Sequence, residues 1–196
     1  MALRRVLFLP DAHTPYHDKR ALESLIIQRI LPAFTWDTIC ILGDWWDNYS
    51  ISTHIKTPTR ERSWKRESEY GKQLLRDIAK TPARRRILIK GNHEQWLEKL
   101  LADRVPALYE EVVHKSRHPQ GWEVIPYMDS TTIGKLNVTH DLGYSGVNST
   151  QQSLVACGDN IVIGHNHNLT YLVRGNAKGE AHVAASFGWL GDYKKI

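Results

Sequence analysis

Cysteine is scarce in this chain of 196 residues, and no long hydrophobic run is present. The two cysteines, Cys40 and Cys157, are isolated and do not make the disulfide framework of a small secreted protein. We therefore expect a reducing compartment, the cytoplasm. No apolar run reaches the ~20 residues that a membrane-spanning helix needs, so no membrane partner is expected. The apolar stretch near the start runs directly into Pro10 and predicts a first strand, not a signal peptide.

The chain also lacks internal repeats and low-complexity segments, and 41% of its residues are hydrophobic, enough for a full core. We expect a single domain over residues 1–196. The formal net charge is +5. That charge tolerates an anionic partner but does not by itself indicate one. The sequence leaves the oligomeric state open.

The most informative pattern is a set of polar motifs, each of which directly follows a short apolar run. The runs at 6–9, 38–42, 87–89, 136–138 and 161–163 have the character of buried strands. In order, the motifs are Asp11-Ala12-His13, Gly43-Asp44-Trp45-Trp46-Asp47, Gly91-Asn92-His93-Glu94, His140-Asp141 and Gly164-His165-Asn166-His167. Helical patterns between runs indicate βαβ units and an α/β fold, in which the carboxyl ends of parallel strands face one crevice.

Apolar spacing predicts two long helices. Asp18 can cap the first, whose buried face comprises Leu22, Leu25, Ile26 and Ile30. The second is expected from about Ser63 to Lys80, with Gly71 as a point of close packing.

The last third of the chain predicts one more helix and two hairpins. Residues 149–152, Ser-Thr-Gln-Gln, fit a capping box that opens a helix ending at Cys157. Residues 133–136 predict a tight hairpin, and residues 170–174 and 181–185 predict a second antiparallel pair.

Taken together and in this order, the five motifs resemble the signature of the calcineurin-like metallophosphoesterase superfamily, in particular its compact microbial and phage-type branch. The resemblance spans Asp11 to His167, most of the chain, and does not depend on any single motif. It implies an α/β sandwich of central β-sheets flanked by α-helices, with a metal site at the carboxyl ends of the strands. It also implies a metal-dependent phosphoric ester hydrolase.

The resemblance further implies two divalent metal ions. Asp44 is the expected bridge, because a carboxylate readily joins two cations that typically lie ~3.5–4 Å apart. The implied ligands of the first metal are Asp11, His13 and His167, and those of the second are Asn92, His140 and His165. Imidazole, carboxylate and amide ligands suit manganese, iron or zinc better than an all-oxygen calcium site. Manganese is the ion we expect, with iron, zinc, nickel and magnesium as alternatives.

Two further residues receive catalytic roles from the same resemblance. His93 would protonate the leaving oxygen, and Asp47 would orient His93. A carboxylate that accepts a hydrogen bond from one ring nitrogen fixes the tautomer and raises the basicity of the other nitrogen. The nucleophile would be a hydroxide that bridges the two metals, so no side-chain nucleophile is expected.

The segment after Asp47 predicts the contacts with substrate. Loops over a rigid scaffold often carry recognition, and we expect substrate-binding residues at Asn48, His54, Arg60 and Arg62. Basic residues are dispersed through this segment, although a solvated helix face would have the same charge pattern. Dispersed charge in an open groove favours phosphodiester bonds of nucleotides or nucleic acid.

Two alternatives remain open. The first is a phosphomonoesterase acting on small molecules or proteins; protein phosphatases of this superfamily place Arg-Gly after the second aspartate, whereas Asn48-Tyr49 follows Asp47 here. The second is a non-catalytic interaction module that keeps the fold without its chemistry. Such a module would have an incomplete ligand set, and here every expected position is filled.

Overall fold

The computed structural model describes residues 4–56, 63–114, 119–175 and 177–194. The protein is α/β, with two β-sheets flanked by helices. The first sheet has four parallel strands in the order β1-β2-β3-β4, which are Val6–Leu9, Trp36–Ile41, Ala83–Ile89 and Glu123–Ile125. The second has the order β5-β6-β7-β9-β8, which are Thr131–Ile133, Leu136–Thr139, Ile161–Ile163, Ala181–Phe187 for β9 and Leu169–Gly175 for β8. Its central strands β6, β7 and β9 are parallel, and its two edge strands are antiparallel to their neighbours.

The main helices lie between the strands in sequence. They are a π-helix over Arg20–Ile30 and the α-helices α1, Trp64–Ala79, α2, Asn92–Arg104, and α3, Ser149–Cys157. Shorter helical turns occur at Leu31–Ala33, Tyr49–Ile51, Pro106–Leu108 and Glu110–His114. Within the described ranges, no helix has both the length and the apolar character that crossing a membrane requires.

The two sheets pack face to face. Alternate residues of β2 point to opposite sides of the first sheet, because side chains in a strand alternate with a period of two. Cys40 and Ile87 therefore join Val138 and Val162 between the sheets, while Ile39 and Ile41 face the π-helix and α1. Helix α3 covers the outer face of the second sheet through Leu154. The result is a helix, sheet, sheet, helix arrangement of layers, and both cysteines within it are free thiols.

The first predicted helix is present, but its buried face differs from the expected one. The Asp18 carboxylate accepts hydrogen bonds from the backbone N–H groups of Arg20 and Ala21, as a cap should. Leu22 is fully buried, whereas Leu25, predicted to be buried, is 50% exposed. The reason is the π-helical winding, in which Leu31 N–H bonds to the carbonyl five residues earlier. More residues then fill each turn, and the i+3 position rotates away from the core.

The predictions for α1 and for Gly71 are confirmed. Helix α1 begins after Ser63, whose hydroxyl accepts a hydrogen bond from the backbone N–H of Arg66. Gly71 lies directly against two tryptophans of the loop after β2. The indole N–H of Trp45 donates to the Gly71 carbonyl at 3.0 Å, and a β-carbon at Gly71 would lie 2.0 Å from Nε1 of Trp46.

We expect Gly71→Ala to destabilise the protein by about 1–3 kcal/mol, the usual cost of overpacking a core. Trp46 is fully buried and has no room to move away from the added methyl group. Urea unfolding measures the effect. Gly175→Ala is the matched control, because the nearest atom to a β-carbon there is 3.8 Å away. Equal stability of the two variants would contradict the close packing.

Both predicted hairpins are confirmed, and each strand of the second is slightly longer than expected. The predicted capping box at α3 is wrong. Ser149 is already the first helical residue, and Asn148 is the N-cap without a side-chain bond. The physical reason is the preceding turn, in which the Ser149 N–H bonds to the Gly146 carbonyl and starts the helical winding early.

Candidate metal centre

The five motifs meet at one edge of the molecule, where the carboxyl ends of both sheets lie together. The loops after β1 and β2 and the start of α2 bring residues from the first sheet, and the loops after β6 and β7 bring residues from the second. The backbone N–H of His165 donates to Asp11 Oδ2 at 3.0 Å, which joins the two sheets directly. The expectation that strand ends gather the motifs is therefore confirmed.

Two of the resulting groups could each hold a metal ion. Potential ligand atoms of Asp11, His13 and His167 all lie within 4.8 Å of one another, as do those of Asp44, His140 and His165. In the first group, His167 Nε2 is 3.3 Å from Asp11 Oδ2 and 3.1 Å from His13 Nε2.

Asn92 lies within the second group, and Asp44 lies between the two groups. Asn92 Oδ1 lies 3.1 Å from His140 Nε2 and 3.1 Å from His165 Nδ1. Asp44 Oδ2 lies 3.5 Å from His140 Nε2 and 3.8 Å from His13 Nε2, between the two groups. All seven predicted ligand positions are therefore brought together.

Two further observations indicate that these side chains could bind a cation. Asp11 is fully buried, and within the described residues its Oδ1 has no hydrogen-bond partner. A buried carboxylate oxygen without a partner is costly, and a cation would satisfy it. His140 Nδ1 donates to the Leu42 carbonyl at 2.8 Å, which turns Nε2 toward Asp44 and Asn92. Metal-ligating histidines commonly use their other ring nitrogen in this way.

The charges of the site also favour added positive charge. Burial lowers the pKa of His140, but the charge of Asp44, the hydrogen bond with Asp44 and the charge of Asp11 together outweigh burial and raise that pKa to about 10. Burial raises the pKa of Asp44, but the charges of His93, His140 and His13 and a hydrogen bond with His140 together hold that pKa well below its ordinary value. A protonated imidazole therefore lies beside a carboxylate in this site. A metal ion could replace the proton, because metal ligands bind in their deprotonated forms.

Left-handed backbone conformations are concentrated here. Non-glycine residues with positive φ in the site are His13, Asp44, Asn48, His165 and His167, with values between 45° and 66°. Such conformations are costly for residues with a β-carbon and persist where the surroundings enforce them, often at functional sites. Glycines supply the space: a β-carbon at Gly91 would lie 2.1 Å from Asp44 Oδ1, and one at Gly164 would lie 2.7 Å from Asp11 Oδ1.

Glu94 holds the strained loop around Asp44. Its buried carboxylate accepts backbone hydrogen bonds from Asp44 at 3.0 Å, Trp46 at 3.0 Å and Gly91 at 2.7 Å. Glu94 belongs to the third sequence motif, but no role was predicted for it. A glutamate three positions after a helix N-cap was the available signal, since such a residue often bonds back to the cap.

We expect Glu94→Gln to weaken metal binding by about 10- to 100-fold, the typical effect of losing a group that orients ligands. The amide presents one NH₂ group to backbone donors that need an acceptor. Calorimetric titration with Mn²⁺ measures this loss. Glu69→Gln, an exposed change on α1, is the control. Unchanged affinity in Glu94→Gln would show that the loop does not depend on the carboxylate.

The partner of His93 differs from the predicted one. The backbone carbonyl of Asp47 accepts a hydrogen bond from His93 Nδ1 at 2.5 Å, whereas the Asp47 carboxylate is 3.8 Å from that nitrogen. Asp47 Oδ1 lies 2.9 Å from His13 Nδ1 instead. The cause is the pairing of two loops, in which the Asp47 N–H bonds to the Thr14 carbonyl and brings the carboxylate beside His13.

The geometry also admits a second role for His93. Its ring, together with the ring of His13 and the carboxylate of Asp44, forms a third group whose ligand atoms could meet at one ion. The distance from His93 Nε2 to Asp44 Oδ2 is 3.8 Å. The metal content of a His93 variant therefore distinguishes a general acid from a metal ligand at this position.

A cavity of about 340 Å³ opens beside these groups. We call it the side cavity; its lining includes Tyr49, His54, Ile55, His93, Trp96 and Trp189. His54, predicted to contact substrate, is exposed at this cavity. Asn48 is not: its side chain is fully buried and its Nδ2 donates to the His93 carbonyl at 2.7 Å, so it positions His93 and does not reach substrate. Arg60 and Arg62 lie outside the described residues.

Trp96 and Trp189 were not predicted from the sequence. Trp96 follows His93 by about one helical turn in α2, and that spacing could have indicated it. Trp189 follows β9, which is parallel to β7 and therefore ends at the same edge as the histidines. The sequence predicted only a hairpin there, and no periodicity reveals that its second strand pairs with β7.

No protein-family model matches this chain, and no curated protein matches it. Its function must therefore be inferred from the arrangement of its own residues.

Proposed function

We propose that this chain is a metal-dependent phosphoric ester hydrolase of the calcineurin-like metallophosphoesterase superfamily. Its substrates would be phosphodiesters of nucleotides or nucleic acid. The observation that carries this proposal is the adjacency of two histidine–aspartate groups with Asp44 between them. The layered arrangement of two sheets between helices is compatible with that fold. Two free cysteines agree with a cytoplasmic location.

The proposed cofactor is a pair of divalent ions, manganese first among those that suit the ligands. Asp11, His13 and His167 would hold one ion, Asn92, His140 and His165 the other, and Asp44 both. When bound, such a pair neutralises phosphate charge and lowers the pKa of water. The mixture of nitrogen and oxygen ligands agrees with this choice.

His93 would move a proton at its Nε2 atom. Its Nδ1 is committed to the Asp47 carbonyl, so this tautomer leaves Nε2 facing the cluster. Burial holds the pKa of His93 below its ordinary value, against the opposing charges of Asp44 and Asp47. A phosphate ester bound beside the ring would add negative charge and raise that pKa again. A protonated Nε2 could then donate to the leaving oxygen.

The side cavity favours a diester over a monoester. A phosphodiester has an organic group on each side of phosphorus and needs room beside the acid, and the cavity opens at His93.

We expect bis(4-nitrophenyl) phosphate to be hydrolysed in the presence of Mn²⁺ at least as efficiently as 4-nitrophenyl phosphate. The measurement is kcat/KM for both esters, with the same protein after chelation as the control. Strong preference for the monoester would replace the diester proposal with the monoesterase alternative. No metal bound and no hydrolysis of either ester would instead favour the non-catalytic module.

A further inference from the structure

Two tryptophans extend the histidine groups into the side cavity. The Trp96 ring lies 3.9 Å from the His93 ring between centroids, with an interplanar angle of 30°. The Trp189 ring stacks on His167 at 4.8 Å and 11°. Aromatic surface therefore begins directly beside the groups assigned to the phosphate, on the side of the proposed acid.

The wall includes further apolar and aromatic residues beside the polar Ser52 and Asp47. His54 meets the edge of Trp96 with 5.6 Å between ring centroids. The Ile55 side chain lines the same cavity yet is 93% exposed, so it contributes little to the core and is available to a ligand. The cavity volume of about 340 Å³ lies within the range of small-molecule pockets, which are commonly lined by hydrophobic and aromatic side chains.

Trp189 is held in a defined position. Gly191 packs against its six-membered ring so closely that a β-carbon there would lie 2.0 Å from the ring. The Tyr193 ring meets Trp189 edge-on at 5.1 Å. A wall that is already ordered loses little conformational entropy when a ligand binds, which increases the net gain from stacking.

The chemistry of these walls selects a flat, weakly polar group. An anionic group would lose hydration without a lysine or arginine among the described lining residues to compensate it, and the lining carboxylate, Asp47, already lies 2.9 Å from His13 Nδ1. An aromatic ring gains both apolar burial and favourable ring geometry against tryptophan. We infer that the side cavity is a subsite for a planar aromatic group of the ester, a nucleobase or an aryl ring, and that Trp96 and Trp189 determine this specificity. The inference deepens the proposed function and rests on it only for the position of the phosphate, which would lie at the histidine–aspartate groups.

Binding can be measured without catalysis by ligand-observed NMR titration of the purified protein. The probes are adenosine against ribose, and adenosine 5′-monophosphate and phenyl phosphate against ribose 5-phosphate. Stacking of a base on an aromatic side chain should make each ring-bearing probe bind about 5- to 150-fold more tightly than its ring-free counterpart. The ratio of the nucleotide to phenyl phosphate distinguishes a nucleobase from an aryl ring as the preferred group.

Substitutions in the side cavity test whether the tighter binding of ring-bearing probes occurs there. Trp96→Leu and Trp189→Leu should each remove most of the preference for a ring-bearing probe. Ile55→Ser should reduce that preference without destabilising the fold, because Ile55 is 93% exposed. Tyr171→Leu is the matched control, since Tyr171 is 69% exposed on β8 and is not a lining residue. Equal binding of adenosine and ribose, or a ring preference that survives both tryptophan changes, overturns the inference.

The same binding measurements distinguish a failure of this inference from a failure of the proposed function. Adenosine has no phosphate, so its Trp96-dependent binding would support the subsite even if no phosphodiester were hydrolysed, and only the proposed function would fail. Hydrolysis of diesters without any preference for a ring-bearing probe would support the proposed phosphoesterase activity and refute the aromatic subsite.

Discussion

Asp44→Asn should abolish hydrolysis and reduce the metal content of the purified protein. We expect the rate to fall by at least about a thousandfold, which corresponds to ~4 kcal/mol of lost transition-state stabilisation. Asp44 is almost fully buried and lies between the two histidine groups, so its charge affects both. Asparagine tolerates the left-handed backbone conformation that Asp44 adopts at φ 45°, so the fold should survive.

The measurement combines elemental analysis of bound metal with the rate on bis(4-nitrophenyl) phosphate. Asp103→Asn is the control, because the Asp103 side chain is 70% exposed at the end of α2. A normal metal content in Asp44→Asn would contradict the bridging position. Circular dichroism would show whether any loss comes from unfolding.

The strand-end motifs were predictable because the periodicity of buried strands is strong. A run such as 38–42 is typical of a buried strand, and a carboxylate directly after such a strand needs a partner. Topology then brings distant residues together without further information: Asp11 and His165 are 154 positions apart in the chain yet share a hydrogen bond of 3.0 Å. The resemblance implied more than one sheet, but the residue patterns did not reveal which motif comes from which sheet, since strand pairing depends on contacts between distant segments.

Side-chain direction at the site was less predictable than position. Asp47 was expected to orient His93, and its backbone performs that task while its carboxylate lies beside His13. The choice depends on a hydrogen bond between two loops, which no local pattern encodes. The same holds for Asn48, which has a positive φ of 52° and a buried side chain that donates to the His93 carbonyl.

The fully buried core of the first sheet explains why the site can maintain strained loops. Trp45 and Trp46 follow Asp44 directly, are both fully buried, and pack against α1 at Gly71. Packing of this kind fixes the loop from one side, while Glu94 binds its backbone from the other. Changes at Gly71 and Glu94 should therefore alter the positions of the proposed metal ligands, although neither residue is among those ligands.

His93→Asn should retain metal but lower turnover by about 10²- to 10⁴-fold on esters with poor leaving groups, the range typical of general acid catalysis. Nδ1 of His93 is committed to the Asp47 carbonyl, which leaves Nε2 for the leaving oxygen. The backbone N–H of residue 93 donates to Asp44 Oδ1 at 3.0 Å, and asparagine preserves that bond.

The dependence on leaving group distinguishes an acid from a metal ligand. A nitrophenolate needs no proton, so the loss in His93→Asn should shrink on bis(4-nitrophenyl) phosphate and remain large on an alkyl diester. His182→Asn is the control, because His182 is a surface histidine of β9 that lies 3.2 Å from Asp159. Equal losses on both esters, together with a lower metal content, would identify His93 as a ligand of the third group, with His13 and Asp44. Equal losses with normal metal content would leave it as a residue that binds the phosphate without donating a proton.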